Sequence, residues 1–226
     1  MALMLGSSAM SGERHLTVLM ADLAGYTALT EAHGSAQAAQ IVARFLALGH
    51  EAMMPGVRLM ERVGDGLVFV AVLAAPAVET ALRLRALVAC TPRFPRLRAG
   101  LHAGSVVVDG ERYVGHALNV AARVTEHAKP GQVLCTEAVA LEAAAVEAVT
   151  YRPLGPVRFK NLVQSVAVYE VVGGGIRDTD AVDPVCRMQV DPTSEFAVAL
   201  DDRRYVFCSF ECRDAFVSRP EDYAAR

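Results

Sequence analysis

The sequence has no long apolar run, no excess of charge of one sign and almost no lysine, and each shortage narrows what the chain can be. Its most apolar stretches, such as Leu67 to Pro76, are far too short to cross a bilayer, and no basic segment precedes an apolar run at the N-terminus. A formal net charge of −3 and a pI near 6.1 leave no footprint for nucleic acid or an anionic membrane. Before residue 182, 16 acidic residues balance 16 basic ones; after it, 9 face 6, so neither part is a basic arm. There is no internal repeat and no low-complexity segment beyond an alanine bias. The expected setting is the cytoplasm, with no nucleic-acid and no membrane partner. There the five cysteines should be thiols, metal ligands or redox groups rather than structural disulfides.

What is present is enough apolar material for a real core: 226 residues, 53% hydrophobic and 21% charged. The clearest break in composition is Gly173-Gly174-Gly175 followed by Arg177-Asp178-Thr179-Asp180, which reads as a short flexible linker. The expected organisation is a flexible tail over 1–14, a body over 15–172, a linker over 173–182 and a small module over 183–226, marginal on its own at that size.

In the body, His15 to Leu23 reads as a buried strand, and Ala24, Gly25, Tyr26 and Thr27 turn the chain into a helix. Val42, Phe45, Leu46, Gly49 and Met53 mark that helix's inner face, and Pro55-Gly56 stops it. Val57 to Arg62 and Leu67 to Leu73 read as two strands around the tight turn Gly64-Asp65-Gly66. Pro76 opens a second helix running to about Cys90. A long strand (Leu97 to Val108), a helix (Gly115 to His127), a strand (Gln132 to Thr136) and a helix (Glu137 to Ala148) follow. Arg152 to Lys160 and Ser165 to Val172 form a closing hairpin. The order β-α-β-β-α-β with extensions predicts an α+β fold with a ferredoxin-like core.

Asp22 ends the first strand and Asp65 sits in the turn between the second and third. In a β-α-β-β core the first and third strands are neighbours, so the two carboxylates can converge. Paired carboxylates suit hard divalent cations such as Mg²⁺, which take oxygen ligands shared with substrate phosphates. The plain alternative is a turn aspartate and an unrelated strand-end aspartate, and spacing alone does not choose between them.

Four stretches occur in order: Thr17-Val-Leu-Met-Ala-Asp22-Leu-Ala-Gly25-Tyr-Thr27, Glu61-Arg-Val-Gly64-Asp65-Gly-Leu, Arg98-Ala-Gly-Leu-His102-Ala-Gly104 and Tyr113-Val-Gly115-His-Ala-Leu-Asn119-Val-Ala-Ala-Arg123. Together they resemble the class III nucleotidyl cyclase catalytic domain over roughly residues 15 to 172. The resemblance implies conversion of a nucleoside triphosphate to the 3′,5′-cyclic monophosphate and diphosphate. It implies two Mg²⁺ or Mn²⁺ ions on Asp22, Asp65 and the backbone carbonyl of Leu23. The backbone N–H groups of Ala24, Gly25, Tyr26 and Thr27 would receive the β- and γ-phosphates. Asn119 and Arg123, at i and i+4 on one helix face, would serve the ribose and the α-phosphate, and Lys160 the terminal phosphates. Asn161 departs from the pattern, because glycine is common there. The family joins the metal aspartates of one subunit to the Asn and Arg of another, so the resemblance implies a homodimer with two shared sites. His102 and Gly104 belong to the pattern with a structural role.

Adenylate-forming members typically carry a lysine at the position of Glu61 and an aspartate or hydroxyl residue at that of Arg112. Both depart here. A carboxylate at 61 accepts from guanine N1–H and the 2-amino group, and Arg112 can donate to guanine O6 or N7. The alternative is that Glu61 and Arg112 pair with each other across the interface. ATP, GTP and a pyrimidine triphosphate all stay open at this point.

The C-terminal module carries Asp183-Pro-Val-Cys186-Arg-Met and Tyr205-Val-Phe-Cys208-Ser-Phe-Glu-Cys212, ending in Phe216 and Pro220-Glu-Asp-Tyr223. Tyr205 to Cys208 reads as a strand and Ser209 as a helix cap, so Cys208 and Cys212 share a strand-to-helix knuckle that Cys186 can reach. This resembles the YHS domain, a small treble-clef-like, metal-associated module. Thiolates suit Zn²⁺ or Cu⁺, but the module contains no histidine to close a tetrahedral zinc site. Open coordination, a three-coordinate ion or no metal are the alternatives, and Cys90 and Cys135 read as packing residues. The leading reading is a homodimeric cyclase tuned by a metal- or redox-sensing module. Its rival is a non-catalytic cyclase fold kept for dimerisation or nucleotide binding, favoured by the two altered base positions.

Overall fold

A computed structural model describes residues 12–110, 112–173, 175 and 181–223; the expected tail up to residue 11 and linker residues 174 and 176–180 lie outside the described residues. The chain runs β1 (Gly12–Leu23), α1 (Tyr26–Ala52), β2 (Val57–Val63), β3 (Gly66–Ala71), α2 (Ala74–Ala89), β4 (Leu97–Asp109), β5 (Arg112–Val114), α3 (His116–His127), β6 (Val133–Thr136), α4 (Glu137–Glu142), β7 (Thr150–Val157) and β8 (Val166–Val172). The C-terminal module adds β9 (Ala197–Leu200), β10 (Arg203–Val206), α5 (Phe210–Ser218) and a single 3₁₀ turn, Pro220–Asp222. No helix among the described residues is long and apolar enough to cross a membrane.

The large sheet has the order β2-β3-β1-β4-β6-β8-β7, with β5 folded back on β4. Its first four strands with α1 and α2 are the expected ferredoxin-like core. β1 lies antiparallel to both β3 and β4. Both its faces are covered, which is why it reads as an apolar run rather than an alternation. Leu19, Ala21 and Leu23 join Phe45 and Leu48 of α1, Val78 and Leu84 of α2 and Val139 of α4 on one face. Leu16 and Val18 join Val68, Val70, Val106 and Ala117 and Ala121 of α3 on the other.

α3 lies very close to the sheet because β4 is glycine-marked beneath it. A Cβ on Gly100 would stand 2.4 Å from the Thr125 nitrogen and 2.6 Å from its hydroxyl; one on Gly104 would stand 3.3 Å from the Ala117 Cβ. Thr125 also donates to the Ala121 carbonyl at 2.8 Å.

The C-terminal module does not stand apart. Cys186, Met188, Phe207, Cys212 and Phe216 share one buried cluster with Leu29 and Ala38 of α1. Gln189 donates its backbone N–H to the Phe94 carbonyl at 2.9 Å, and Pro95 pairs with Met188 in an isolated bridge.

Several boundaries differ from the sequence reading. Gly12 to Arg14, assigned to the tail, already belong to β1 opposite Val106–Val108. α2 starts at Ala74, so Pro76 sits inside its first turn, where its missing N–H costs nothing. The helix expected to reach Ala148 stops at Glu142, because Tyr151 donates its hydroxyl to the Ala143 carbonyl at 2.9 Å and Ala148 takes φ 58° to turn the chain into β7. Cys90 is exposed at the end of α2 rather than packed, whereas Cys135 is buried in β6 and its thiol is pushed up to about 12 by that burial.

Gly100→Ala is expected to lower stability by about 1–3 kcal/mol through overpacking against backbone. Gly104→Ala, which meets only side chains, should cost less, and urea denaturation of the two variants checks the order.

Candidate functional site

The two aspartates come together at the C-terminal end of β1. Ala21 pairs with Leu67 of β3, so Asp22 emerges beside the β2–β3 turn that carries Asp65. Gly64 in that turn takes φ 61°, a conformation that a residue with a Cβ rarely adopts. The Asp65 carboxyl is pushed up to about 6, chiefly by burial and then by hydrogen bonding to and repulsion from Asp22. Arg98, opposite Asp22 on β4, donates from Nε at 2.9 Å and Nη2 at 2.5 Å to Asp22 Oδ2. One guanidinium thus faces two carboxylates, leaving a net negative, partly desolvated oxygen pair. That donor set fits a Mg²⁺- or Mn²⁺-class cation. The Leu23 side chain is buried, so Leu23 can offer a cation only its backbone carbonyl.

Directly beyond, Gly25 takes φ 84° and caps α1 without a side-chain bond; Leu29 N–H donates to the Gly25 carbonyl at 3.0 Å. The first-turn N–H groups, including those of Tyr26 and Thr27, have no helical partner and form an anion-accepting end a few residues from the aspartates. Arg187 of the C-terminal module lies against this turn: a Cβ on Gly25 would fall 2.5 Å from the Arg187 Cβ. Ala24, Gly25, Arg96, Pro130, Val182 and Arg187 line a cavity of about 410 Å³ there.

The other expected residues lie elsewhere on the chain. Asn119 is exposed on α3, and Arg123 of the same helix pairs with Glu126 at 2.5 Å. Lys160 is exposed beside Asn161, whose φ of 66° is the left-handed conformation that asparagine tolerates best after glycine, so the departure from glycine leaves a workable turn. Among the described residues no hydrogen bond or ion pair joins Asn119, Arg123 or Lys160 to Asp22 or Asp65. Glu61 and Arg112 are exposed on β2 and β5, whose neighbours Arg58 and Tyr113 stack at 5.4 Å. His102 bonds Thr136 at 2.9 Å and is held down at about 4, by burial first and then by the charges of His116 and His15. It is therefore neutral at pH 7.

In the C-terminal module, Cys186, Cys208 and Cys212 converge, with Cys208 Sγ 3.6 Å from each of the other two sulfurs. Ser209 caps α5 by accepting from Cys212 N–H, as its position implies. Cys208 is held well below the ordinary thiol range by hydrogen bonding to Cys186 and Cys212. Two residues have roles here that the sequence does not assign to them. Asp183 is fully buried and accepts from Val185 N–H (2.8 Å), Cys186 N–H (3.3 Å) and Cys208 N–H (2.8 Å), tying together the two segments that carry the sulfurs. His33 of α1 lies beside the sulfurs. The signal for it was the lack of a fourth ligand within the module.

Residues 181–226 match the YHS domain family. Over 169 residues the chain is 33% identical to a pH-sensitive adenylate cyclase of Mycobacterium tuberculosis, covering 74% of this chain and 43% of that one, so the chain spans less than half of that relative's length. Its fold superposes on the adenylyl cyclase CyaB from P. aeruginosa with TM-score 0.63 at 18% identity, covering 75% of this chain and 98% of the other. It also superposes on the guanylate cyclase domain of RhGC from Catenaria anguillulae, solved in complex with GTP, with TM-score 0.59 at 20% identity, covering 72% and 98%. The large sheet and its helices thus have the class III nucleotidyl cyclase catalytic fold. The C-terminal part, residues 181–226, is a YHS domain joined to that fold.

Two outcomes are expected. Asp65 has a folded pKa near 6 against an ordinary 3.8, so its contribution to stability is full below 3.8 and is lost as pH rises through about 6. Relative to Asp65→Asn, the metal-free protein should lose melting temperature across that window. Added Mn²⁺ should raise it more above about 6 than below, because only the ionised carboxyl binds metal. Separately, Asp183→Ala orphans three backbone donors, which at about 1–3 kcal/mol each should remove roughly 3 kcal/mol or more, read by chemical denaturation.

Proposed function

We propose that the chain is a nucleotidyl cyclase that turns a nucleoside triphosphate into its 3′,5′-cyclic monophosphate and diphosphate at two sites shared across a homodimer. The observation that carries this reading is the meeting of Asp22 and Asp65 beside the glycine-capped start of α1, whose first-turn N–H groups take no side-chain bond from the cap. Asp22, Asp65 and the Leu23 carbonyl would hold the divalent cations, which when bound lower the pKa of the ribose 3′-hydroxyl and offset triphosphate charge. The first-turn N–H groups of α1 take the β- and γ-phosphates.

Asn119 and Arg123 of the partner orient the ribose and stabilise charge on the α-phosphoryl oxygens, and Lys160 binds the terminal phosphates. Arg123 exchanges its helix partner Glu126 for phosphate, a stronger bidentate acceptor. The 3′-oxygen bonds the α-phosphorus as the bond to the β-bridging oxygen breaks. Diphosphate leaves, and the hydroxyl proton passes to solvent. Two observations support the dimer: among the described residues no hydrogen bond or ion pair joins Asn119 or Arg123 to the aspartates of their own chain, and Val63, Val107 and Val114 expose apolar surface toward strand ends of β2, β4 and β5. Glu61 favours guanine by its acceptor oxygens, while the curated relative cited above is an adenylate cyclase. The substrate class is therefore a purine triphosphate, and regulation by the YHS domain is part of the proposal.

Purified protein with Mn²⁺, offered each nucleoside triphosphate in turn, should release cyclic product and diphosphate from a purine triphosphate. Asp65→Ala and Arg123→Ala should each lower kcat/KM by about 100-fold or more. Mixing them randomly makes half the dimers mixed, each with one intact site, so about a quarter of wild-type activity should return. No cyclic product from any triphosphate leaves the fold as a nucleotide-binding or dimerisation module.

A further inference from the structure

The three sulfurs of the YHS domain have a fourth donor outside that domain. His33 belongs to α1 of the cyclase fold, and its Nε2 lies 3.4 Å from Cys208 Sγ and 3.6 Å from Cys212 Sγ. All four donor atoms fall within 4.8 Å of one another, and the three cysteines are buried. A tetrahedral ion about 2.3 Å from sulfur and about 2.0–2.1 Å from nitrogen sets S···S near 3.8 Å and S···N near 3.6 Å. The observed S···S separations of 3.6 Å and S···N separations of 3.4 and 3.6 Å are those of the edges of such a tetrahedron, slightly contracted. The donor types select a soft or borderline ion over Mg²⁺ or Ca²⁺. Asp183, bonded to the backbone N–H groups of Cys186 and Cys208, holds two of the ligand-bearing segments in place.

We infer that His33 completes, with Cys186, Cys208 and Cys212, a closed Cys₃His site for a Zn²⁺-class ion that clamps the YHS domain onto the first two turns of α1. The clamp has two jaws. One is His33 itself, at the residue before Gly34, where α1 breaks with φ 79° and ψ 166°. The other is Arg187, next in sequence to the ligand Cys186, pressed against the Gly25 cap. Between them Leu29 is fully buried in the YHS core. The segment held in this way is the one that bears the proposed phosphate-binding N–H groups. The site itself stands without the cyclase reading; only its consequence for catalysis rests on that reading.

The test uses the whole 226-residue chain, purified reduced, with zinc as the probe. One zinc per chain by elemental analysis is expected, and Co²⁺ in its place should show the intense visible bands of a tetrahedral thiolate site. His33→Ala should weaken zinc binding by at least about 100-fold in chelator competition, since even outer contacts to metal ligands are worth 10–100-fold. His33→Cys should restore stoichiometry and shift the cobalt spectrum toward four sulfurs, which separates a ligand from a residue needed only for folding. Stripping the metal should speed amide exchange over residues 26–33 while leaving β4 unchanged. The inference is overturned if the reduced chain holds no zinc, or if His33→Ala binds zinc and cobalt as the wild type does. None of these readings requires cyclase activity.

Discussion

The catalytic reading of this molecule depends on a repulsion between two carboxylates that the sheet forces into company. β1 is hydrogen-bonded on both sides, by β3 and by β4, so neither Asp22 nor the β2–β3 turn can withdraw without breaking a ladder. Arg98 neutralises one of the two charges from the flanking strand. The remaining negative charge stands within a few residues of helix N–H groups that attract anions. A cation and a polyanion therefore have adjoining places, which is what the proposed triphosphate and its metal ions would need.

The second constraint is the sharing of α1 between two cores. Phe45, Leu48 and Ala52 belong to the main core, Leu29 and Ala38 to that of the YHS domain, and Ile41 packs against both. Full burial of a leucine such as Leu29 is worth about 1.5–3 kcal/mol, comparable with the marginal stability of so small a module. The domain thus owes part of its fold to the helix it covers, and the helix owes its position partly to the domain.

Much of the architecture was legible because it follows from local rules. The order of strands and helices, the glycine-bearing turn at Asp65 and the Ser209 cap each have a short-range cause. So does the convergence of Asp22 and Asp65, once β1 and β3 are neighbours. What was not legible depends on distance along the chain. Nothing around Glu31-Ala-His33-Gly34 points to sulfurs more than a hundred residues away; only the packing of the module brings them together. The early stop of α4 was hidden for the opposite reason: the alanines after Glu142 favour helix locally, and the bond from Tyr151 to Ala143 overrides them. Cys90 is of the same kind, an apolar-looking position that the end of α2 turns outward.

The seating of Arg187 against Gly25 bears on how the two parts can have a history of their own. A fragment cut at the linker would be neither half as found here: its first helix would expose Leu29 to water, and the wall of the cavity beside the glycine cap would be gone. Modularity in the sequence is therefore not independence in the fold, and the properties of the cyclase part measured in isolation would describe a different molecule.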